Sequence, residues 1–292
     1  MKTVDEFFSK EPPSNLYHYT GIGSLLGIAE NECLFASHAY YLNDSREVKH
    51  AAYMLQRIVM SLIEQGLATE PTVKEFLLAF MDWLITFEKQ QYNVFIFSFS
   101  VHRSQLSQWR AYTPHGKGVS LGFSPRTIRN IANENDCSLA ECLYAPKKQE
   151  HLADALVKKM LETFYQRVDH LRTLPQPTRY TGFLEEFRGE VLRALCILKD
   201  PAFSEEREWR LISPYYDNYV LAPICYREGA SMLSPFIKLK LLKERPLFSE
   251  VLLGPSEHQN LSMQALVQFL SKRSLTSGVV NSGVPYREWH KR

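Results

Sequence analysis

The sequence of 292 residues has almost no excess of charge of either sign and no long apolar run. Its 34 Lys and Arg residues against 32 Asp and Glu residues leave a net charge of +2, so no overall field would attract nucleic acid or acidic lipid. The longest apolar stretch, 76–87, is shorter than a membrane span and is interrupted by Asp82, which predicts a buried helix. We therefore expect no membrane partner.

Cysteine is scarce, and its spacing matches neither a metal site nor a disulfide framework. No CxxC pair is present, and no His or Cys pair completes a zinc set. The first ten residues lack the apolar run of a signal peptide, so we expect a cytoplasmic protein with free thiols and no bound metal. The five cysteines are Cys33, Cys137, Cys142, Cys196 and Cys225.

Three common catalytic signatures are missing: the phosphate-binding GxxxxGK[ST], the zinc-binding HExxH and the hydrolase GxSxG. Gly21, Gly23 and Gly27 follow a predicted strand and open a helix, as in a dinucleotide-binding fingerprint. Their spacing is off by one, however, and residues 15–19 place polar groups on both faces of a strand that such a fold buries. The sequence therefore disfavours a Rossmann-type site.

Apolar periodicity predicts strands near both ends of the chain and helices in the middle. The gaps between strands are too irregular for a barrel or a doubly wound sheet, so we expect an α+β protein with one mixed core. Residues 1–292 are interpreted as a single domain with helical inserts at about 46–90 and 149–198. Strands are predicted at 15–19, 33–36, 94–100, 118–123, 206–212, 236–241, 250–253 and 278–282, and helices at 21–30, about 71–89, 149–173, 180–198 and 259–272, with a further helix of about 18 residues after Asp44.

The segment 206–212 carries charges in a regular alternation. Period-two geometry places Glu206, Glu208 and Arg210 on one face of a strand. Trp209 and Leu211 then face the core. Such a strand is either an exposed edge with an ion pair or the wall of a site.

Other polar clusters have structural explanations as well as functional ones. His18 lies in the middle of a predicted strand, where a core histidine bonded to a backbone carbonyl is the simpler interpretation. Tyr40 and Tyr41 precede a predicted helix, and Asp44 there is suited to capping it. Lys117 lies between two glycines, which fit either close approach to a ligand or a tight turn.

Five motifs lie at 16–20, 41–47, 109–122, 206–210 and 282–287. Taken together, they resemble an uncharacterised bacterial family that is grouped with the ADP-ribosyltransferases. The resemblance covers nearly the full chain, and it implies an ADP-ribosyltransferase-like split mixed β-sheet core with helical inserts.

The resemblance also implies roles for particular residues. In the His-Tyr-Glu type of ADP-ribosyltransferase, His18 would hold the adenosine ribose of NAD, and Tyr41, with Tyr40 as the alternative, would stack on nicotinamide. Glu208 would be the catalytic carboxylate. Glu206 and Glu208 also resemble the E-x-E pair of arginine-modifying transferases, so the acceptor, protein or nucleic acid, stays open.

The chemistry of NAD cleavage explains these residue types. Breaking the nicotinamide–ribose bond builds positive charge on the ribose, which a carboxylate stabilises more in the transition state than in the substrate. Arg210, Arg110 and Lys117 are candidates for the pyrophosphate because of their charge, and Thr20 is added to the cofactor-binding set. No metal is needed.

We therefore predict an NAD-dependent mono-ADP-ribosyltransferase with an unidentified, macromolecular acceptor, in a toxin or phage-defence context that the resemblance alone implies. Hydrolysis of NAD instead of transfer stays open, as does the oligomeric state. The main alternative is a catalytically inactive nucleotide-sensing or protein-interaction module of the same fold. A third hypothesis is an enzyme directed to nucleic acid by the basic stretches 147–159 and 238–245.

Overall fold

The strands of the protein form one mixed sheet, and helices connect them along the chain. We describe a computed structural model that covers residues 3–42, 47–67, 70–114, 117–175, 179–229, 231–242, 244–276 and 278–284. The strands are β1 (Leu16–Thr20), β2 (Cys33–His38), β3 (Phe95–Ser100), β4 (Val119–Phe123), β5 (Ser138–Glu141), β6 (Glu208–Ile212), β7 (Ile224–Glu228), β8 (Leu233–Lys240), β9 (Glu250–Leu253) and β10 (Val279–Asn281). The helices are α1 (Ile22–Asn31), α2 (Glu47–Leu62), α3 (Pro71–Leu84), α4 (Thr86–Lys89), α5 (Leu106–Tyr112), α6 (Pro125–Glu134), α7 (Pro146–Thr173), α8 (Thr181–Glu186), α9 (Arg188–Leu195) and α10 (Gln259–Lys272).

The order of strands is β10-β9-β4-β1-β3-β2-β8-β7, and β6 pairs with both β3 and β5. Strands β9 and β10 pair in parallel, whereas the other pairs are antiparallel. The prediction of an α+β protein with a mixed sheet is therefore confirmed. Within the described residues, no helix combines the length and the apolar character needed to cross a membrane.

Strand β3 is the point at which the sheet divides. One edge of β3 pairs with β6 along five residues, from Ile96 opposite Ile212 to Ser100 opposite Glu208. The other edge is shared: β1 pairs with it at Ser100, and β2 pairs with it at Phe95 and Ile96. Between these pairings β1 and β2 diverge, and we call this divergence the fork.

Successive side chains of β3 point to opposite faces of the sheet, and the two faces pack into different cores. Phe95, Phe97 and Phe99 are buried in a core that also contains Trp209 and Leu211 of β6, as the sequence predicts. Ile96, on the other face of β3, belongs to a second core formed mainly by helices.

The second core packs the helices against one another. The rings of Phe76 in α3 and Phe164 in α7 stack with their centres 4.6 Å apart. Helices α2 to α4 and α7 to α9 occupy the two ranges that were predicted as inserts.

Strands β5, β6 and β7 differ from the sequence-based prediction, and each difference has a physical cause. Strand β6 begins at Glu208 instead of residue 206, because Arg207 follows a 3₁₀ turn with a left-handed φ of 42°. Strands β5 and β7 were not predicted, since β5 has four residues and most of β7 is exposed. Asp44, the predicted cap of α2, lies outside the described residues.

Gly118 permits a close approach between two strands. A Cβ atom at this position would lie 2.3 Å from the carbonyl oxygen of Thr20 on β1. The backbone contact at Gly118 is therefore with another part of the chain, which explains this glycine by packing instead of by ligand binding. Its fellow glycine on the other side of Lys117 is outside the described residues.

Candidate active site

A cleft of about 510 Å³ opens at the fork, within the size range of small-molecule sites. Strands β1, β2, β3 and β6 and helix α5 contribute to its walls. Its apolar lining consists of Phe35, Leu42, Ile96, Phe97, Phe99, Ala111 and Phe203, and its polar lining of Tyr17, His18, Tyr19, Ser37, Tyr41, Glu47, Ser98, Ser100, Gln108, Tyr112, Lys199, Glu206, Glu208, Arg210 and Arg227.

His18 fills the gap between the diverging strands. Its Nδ1 lies 2.9 Å from the carbonyl oxygen of Ser98, in the stretch of β3 that neither β1 nor β2 pairs. Its ring stacks on Phe97 with the ring centres 4.2 Å apart. Because a carbonyl only accepts, Nδ1 carries the proton, and Nε2 is left as an acceptor.

Burial lowers the pKa of His18 to about 4, against the opposing effect of its bond to Ser98. The ring is therefore neutral at neutral pH. The simpler interpretation of a histidine bonded to a backbone carbonyl is confirmed. The same side chain also lines the cleft.

The two candidate tyrosines are placed differently. Tyr41 lines the cleft, and its ring meets that of His38 edge-on with the centres 5.2 Å apart. Tyr40 is buried among the helices, where its hydroxyl donates to the carbonyl of Phe87 at 3.1 Å. Of the two, Tyr41 is therefore the one that lies beside the cleft.

Arg210 and Glu208 form the buried floor of the cleft. The Arg210 Nε lies 2.8 Å from Glu208 Oε1, and Nη2 lies 2.8 Å from Glu47 Oε1 and 2.9 Å from Glu208 Oε2. Arg210 Nη1 donates to the carbonyl of Cys196 at 2.6 Å. Arg210 is thus fully enclosed by acceptors, as a buried guanidinium requires.

Lys199 joins the two candidate carboxylates. Its Nζ lies 2.5 Å from Oε2 of both Glu206 and Glu208, and 3.5 Å from Oε1 of Glu47. The hydroxyl of Tyr112 donates to Glu206 Oε1 at 2.9 Å. We call Glu47, Lys199, Glu206, Glu208 and Arg210 the charge cluster. By formal charge it holds three carboxylates and two cations.

The neighbours in the charge cluster set its ionisation. Burial opposes the charged form of Glu208, but Arg210 and Lys199 outweigh it and lower the pKa of Glu208 to about 2. Burial likewise disfavours the charged form of Lys199, yet Glu208 raises the pKa of Lys199 overall. Burial and then Glu206 raise the pKa of Tyr112, which keeps its phenol protonated as a donor. Glu208 is therefore a fixed negative charge at neutral pH and not a proton donor.

Three other predicted residues lie outside the cleft lining. Lys117 pairs with Glu257 at 3.3 Å and lines a separate, largely apolar cavity of about 410 Å³. Arg110 borders a shallow depression together with Glu205. Thr20 is buried in β1. The predicted residues that share the cleft are His18, Tyr41, Glu206, Glu208 and Arg210.

Sequence reasoning did not single out Lys199 or Arg227, and it interpreted Glu47 as the partner of Asp44 in a capping box and as the last residue of the motif at 41–47. The capping-box spacing gave Glu47 another explanation, and Lys199 follows a helix with no motif around it. Arg227 lies in the unpredicted strand β7, where its Nη2 donates to Ser37 Oγ at 2.8 Å. The partners of Glu47 and Arg227 lie in distant parts of the chain, where no local pattern could reveal them. Lys199 is only seven residues from Glu206 and nine from Glu208, but it lies outside the strand pattern that singled out those two residues.

No group of three or more His, Cys, Asp or Glu side chains suited to a metal ion occurs in the described part of the chain. The described cysteines are free thiols. Burial raises the pKa of Cys142, whose thiol lies 3.7 Å from Glu208 Oε2. This thiol is therefore not a ready nucleophile.

Residues 108–211 match a family model described as a protein of unknown function, DUF2971. This part of the chain is similar to that family. The part similar to DUF2971 contains Lys199, Glu206, Glu208 and Arg210 but not His18 or Tyr41. No curated protein and no solved structure matches the chain. The match supports a domain of unknown function and carries no activity, so the relation to ADP-ribosyltransferases stays a prediction.

Proposed function

We propose that the sheet is the split sheet of an ADP-ribosyltransferase-like fold, and that the cleft at its fork binds NAD and breaks the nicotinamide–ribose bond. One observation carries the proposal: His18, Tyr41 and Glu208, from three separate parts of the chain, line the same cleft. A planar ring can stack on nicotinamide, a neutral imidazole can bond a ribose hydroxyl, and a fixed carboxylate can stabilise positive charge on the ribose.

The charge cluster suits a reaction that develops positive charge. Its three carboxylates exceed its two cations by one formal negative charge. These groups are held in place by short bonds, so little reorganisation is needed when an oxocarbenium-like ribose forms. Glu208 and Glu206 would stabilise that charge, while the Nε2 acceptor of His18 would bind a ribose hydroxyl.

The ADP-ribose would then pass to an acceptor on a protein or nucleic acid, or to water. The resemblance to transferases favours a macromolecular acceptor and a toxin or phage-defence context. The products of an NAD-cleavage assay distinguish transfer from hydrolysis: transfer gives an ADP-ribosylated macromolecule, and hydrolysis gives free ADP-ribose.

The test is release of nicotinamide from NAD labelled in its nicotinamide ring. We expect Glu208→Gln to lower the rate by about 100-fold or more, the scale of a lost electrostatic stabiliser. Glu205→Gln is a matched control, because Glu205 is exposed on the same turn and does not line the cleft. Its rate should stay within about twofold of the wild type, as for most exposed side chains.

Glu208→Gln leaves Arg210 and Lys199 short of a carboxylate, so folding of each variant has to be checked by circular dichroism. Glu206→Gln provides a second, less buried position, and a loss of rate in both folded variants would support the proposal. Nicotinamide release by the wild type no faster than by Glu208→Gln would contradict it.

A second candidate function is a nucleotide-binding module without turnover. The observation that favours it is the saturation of Glu208, because Arg210 and Lys199 already bond both of its carboxylate oxygens. A carboxylate so engaged has less capacity to bond a ribose hydroxyl. Calorimetry with NAD and ADP-ribose separates the two functions: binding without nicotinamide release favours the module.

A further inference from the structure

The cations of the cleft are not equivalent. Lys199 and Arg210 each lie within ion-pair distance of two or more carboxylates of the charge cluster. Arg227, the third cation among the described lining residues, contacts no described carboxylate. Its charge is therefore the one available to a ligand.

Neighbouring side chains hold Arg227 in place. Its Nη2 donates to Ser37 Oγ at 2.8 Å, and its guanidinium carbon lies 5.5 Å from the centre of the Phe236 ring. Phe236 in turn meets Phe35, which also lines the cleft, edge-on at 5.6 Å. Partial burial lowers the pKa of Arg227, but the residue is still exposed to solvent and its guanidinium carries its charge at neutral pH.

Most donors of this guanidinium are unused by the described residues. An arginine has five N–H groups, and the bond to Ser37 uses one of them. The remaining fork can bond two oxygens of one anion, and the hydroxyl of Ser37, which accepts from Arg227, can donate to a third. Phosphate offers oxygens in several directions and so matches this set of donors.

Charge is also distributed unevenly between the β6 side and the β2 side of the cleft. The charge cluster, with its formal excess of negative charge, includes Glu208 on β6, along one edge of β3. Ser37, which bonds Arg227, lies on β2, along the opposite edge of β3. An anionic group is therefore repelled from the β6 side and attracted to the β2 side, whereas a ring bearing positive charge is favoured beside the carboxylates.

We propose that Arg227 and Ser37 form a phosphate-binding subsite, and that the ligand of the cleft is an organic phosphate whose phosphate lies at the β2 side. The inference rests on the proposed function for the identity of the ligand as NAD, whose nicotinamide is cationic and whose diphosphate is anionic. The class of ligand, an organic phosphate, is inferred from Arg227 and Ser37 and does not depend on its being NAD. The predicted pyrophosphate candidates Arg110 and Lys117 lie outside the cleft lining.

The test is calorimetric titration of the full chain with ADP-ribose, adenosine and inorganic pyrophosphate. We expect Arg227→Gln to weaken ADP-ribose binding by about 10- to 100-fold, the effect of losing charge-assisted hydrogen bonds, and to leave adenosine binding unchanged. Arg227→Lys should recover part of the loss, because it keeps the charge but not the fork. Pyrophosphate binding by the wild type separates recognition of the phosphate from recognition of the rest of the nucleotide.

Arg126→Gln is the matched control, since the Arg126 side chain is 82% exposed and lies outside the cleft lining. It should bind ADP-ribose like the wild type. The inference is overturned if the wild type binds neither ADP-ribose nor pyrophosphate, or if Arg227→Gln binds ADP-ribose as tightly as the wild type. Binding of ADP-ribose that depends on Arg227, without cleavage of NAD, would support the subsite and refute the proposed enzyme.

Discussion

Removal of the Lys199 ammonium is the most informative perturbation of the cleft. Its Nζ lies 2.5 Å from Glu206 and from Glu208, and 8% of its side chain is exposed. In Lys199→Met the aliphatic volume is kept, but the buried carboxylates of Glu47 and Glu208 and the half-buried carboxylate of Glu206 are left with the single cation of Arg210. We therefore expect a large loss of stability from the charge alone.

The magnitude follows from two opposing terms. At an effective dielectric constant of about 20, two unit charges 2.5 Å apart attract by about 7 kcal/mol. Desolvation of the buried ammonium costs several kcal/mol and offsets much of this attraction. Because the carboxylates stay buried when the cation is removed, the free energy of unfolding should fall by about 3 to 5 kcal/mol at pH 7.

Urea unfolding followed by circular dichroism, at pH 7 and again near pH 4, measures this effect. Without Lys199 the pKa of Glu208 rises, so a proton can neutralise the carboxylate in the folded variant, and the difference from the wild type should shrink at the lower pH. Lys158→Met is the matched control, because Lys158 pairs with Asp154 at 3.0 Å on α7 and 41% of its side chain is exposed, against 8% for Lys199. Its cost should stay below about 1 kcal/mol. A loss below about 1 kcal/mol in Lys199→Met, or a loss independent of pH, would refute this reasoning.

Two further predictions concern stability. Gly118→Ala should lower the free energy of unfolding by about 1 to 3 kcal/mol, since its Cβ would lie 2.3 Å from the Thr20 carbonyl oxygen. Gly23→Ala, in open space on α1, should be neutral or stabilising by up to about 1 kcal/mol, and equal melting temperatures for the two variants would contradict the packing explanation. The low pKa of Glu208, about 2 against an ordinary 4.5, gives stability that is complete above pH 4.5 and is lost as the pH falls toward 2. The loss should be about 3 kcal/mol, and urea titrations over this range should show a smaller loss in Glu208→Gln.

Local periodicity in the sequence was sufficient to predict most of the helices and strands. Strand β9 and helix α10 have the bounds that the sequence predicts, 250–253 and 259–272. Strand β7 was not predicted because its residues show no alternating apolar pattern. It is a strand because it pairs with β8. The position of the fork could not be predicted either, since it depends on which residues of β3 pair with β1 and with β2.

The candidate site also combines residues that local patterns predicted with residues that they could not predict. Period two placed Glu208 and Arg210 on one face of a strand, and both line the cleft. Glu206 lines the cleft as well, but from the 3₁₀ turn before β6 and not from the strand. Their partners were beyond such reasoning, because Glu47 is 163 residues from Arg210 along the chain. Contacts over this distance depend on how the helices pack against the sheet.

The sequence by itself determined the classes of element, the lack of a long apolar run and the alternation of charges before and within β6. Only the tertiary structure decided that His18 and Tyr41 share a cleft with those charges, that Tyr40 lies among the helices, and that Arg227 lines the cleft and bonds Ser37. The physical reason is the range of the interactions. Helix and strand formation depends on neighbours along the chain, whereas burial, ionisation and charge compensation depend on neighbours in space.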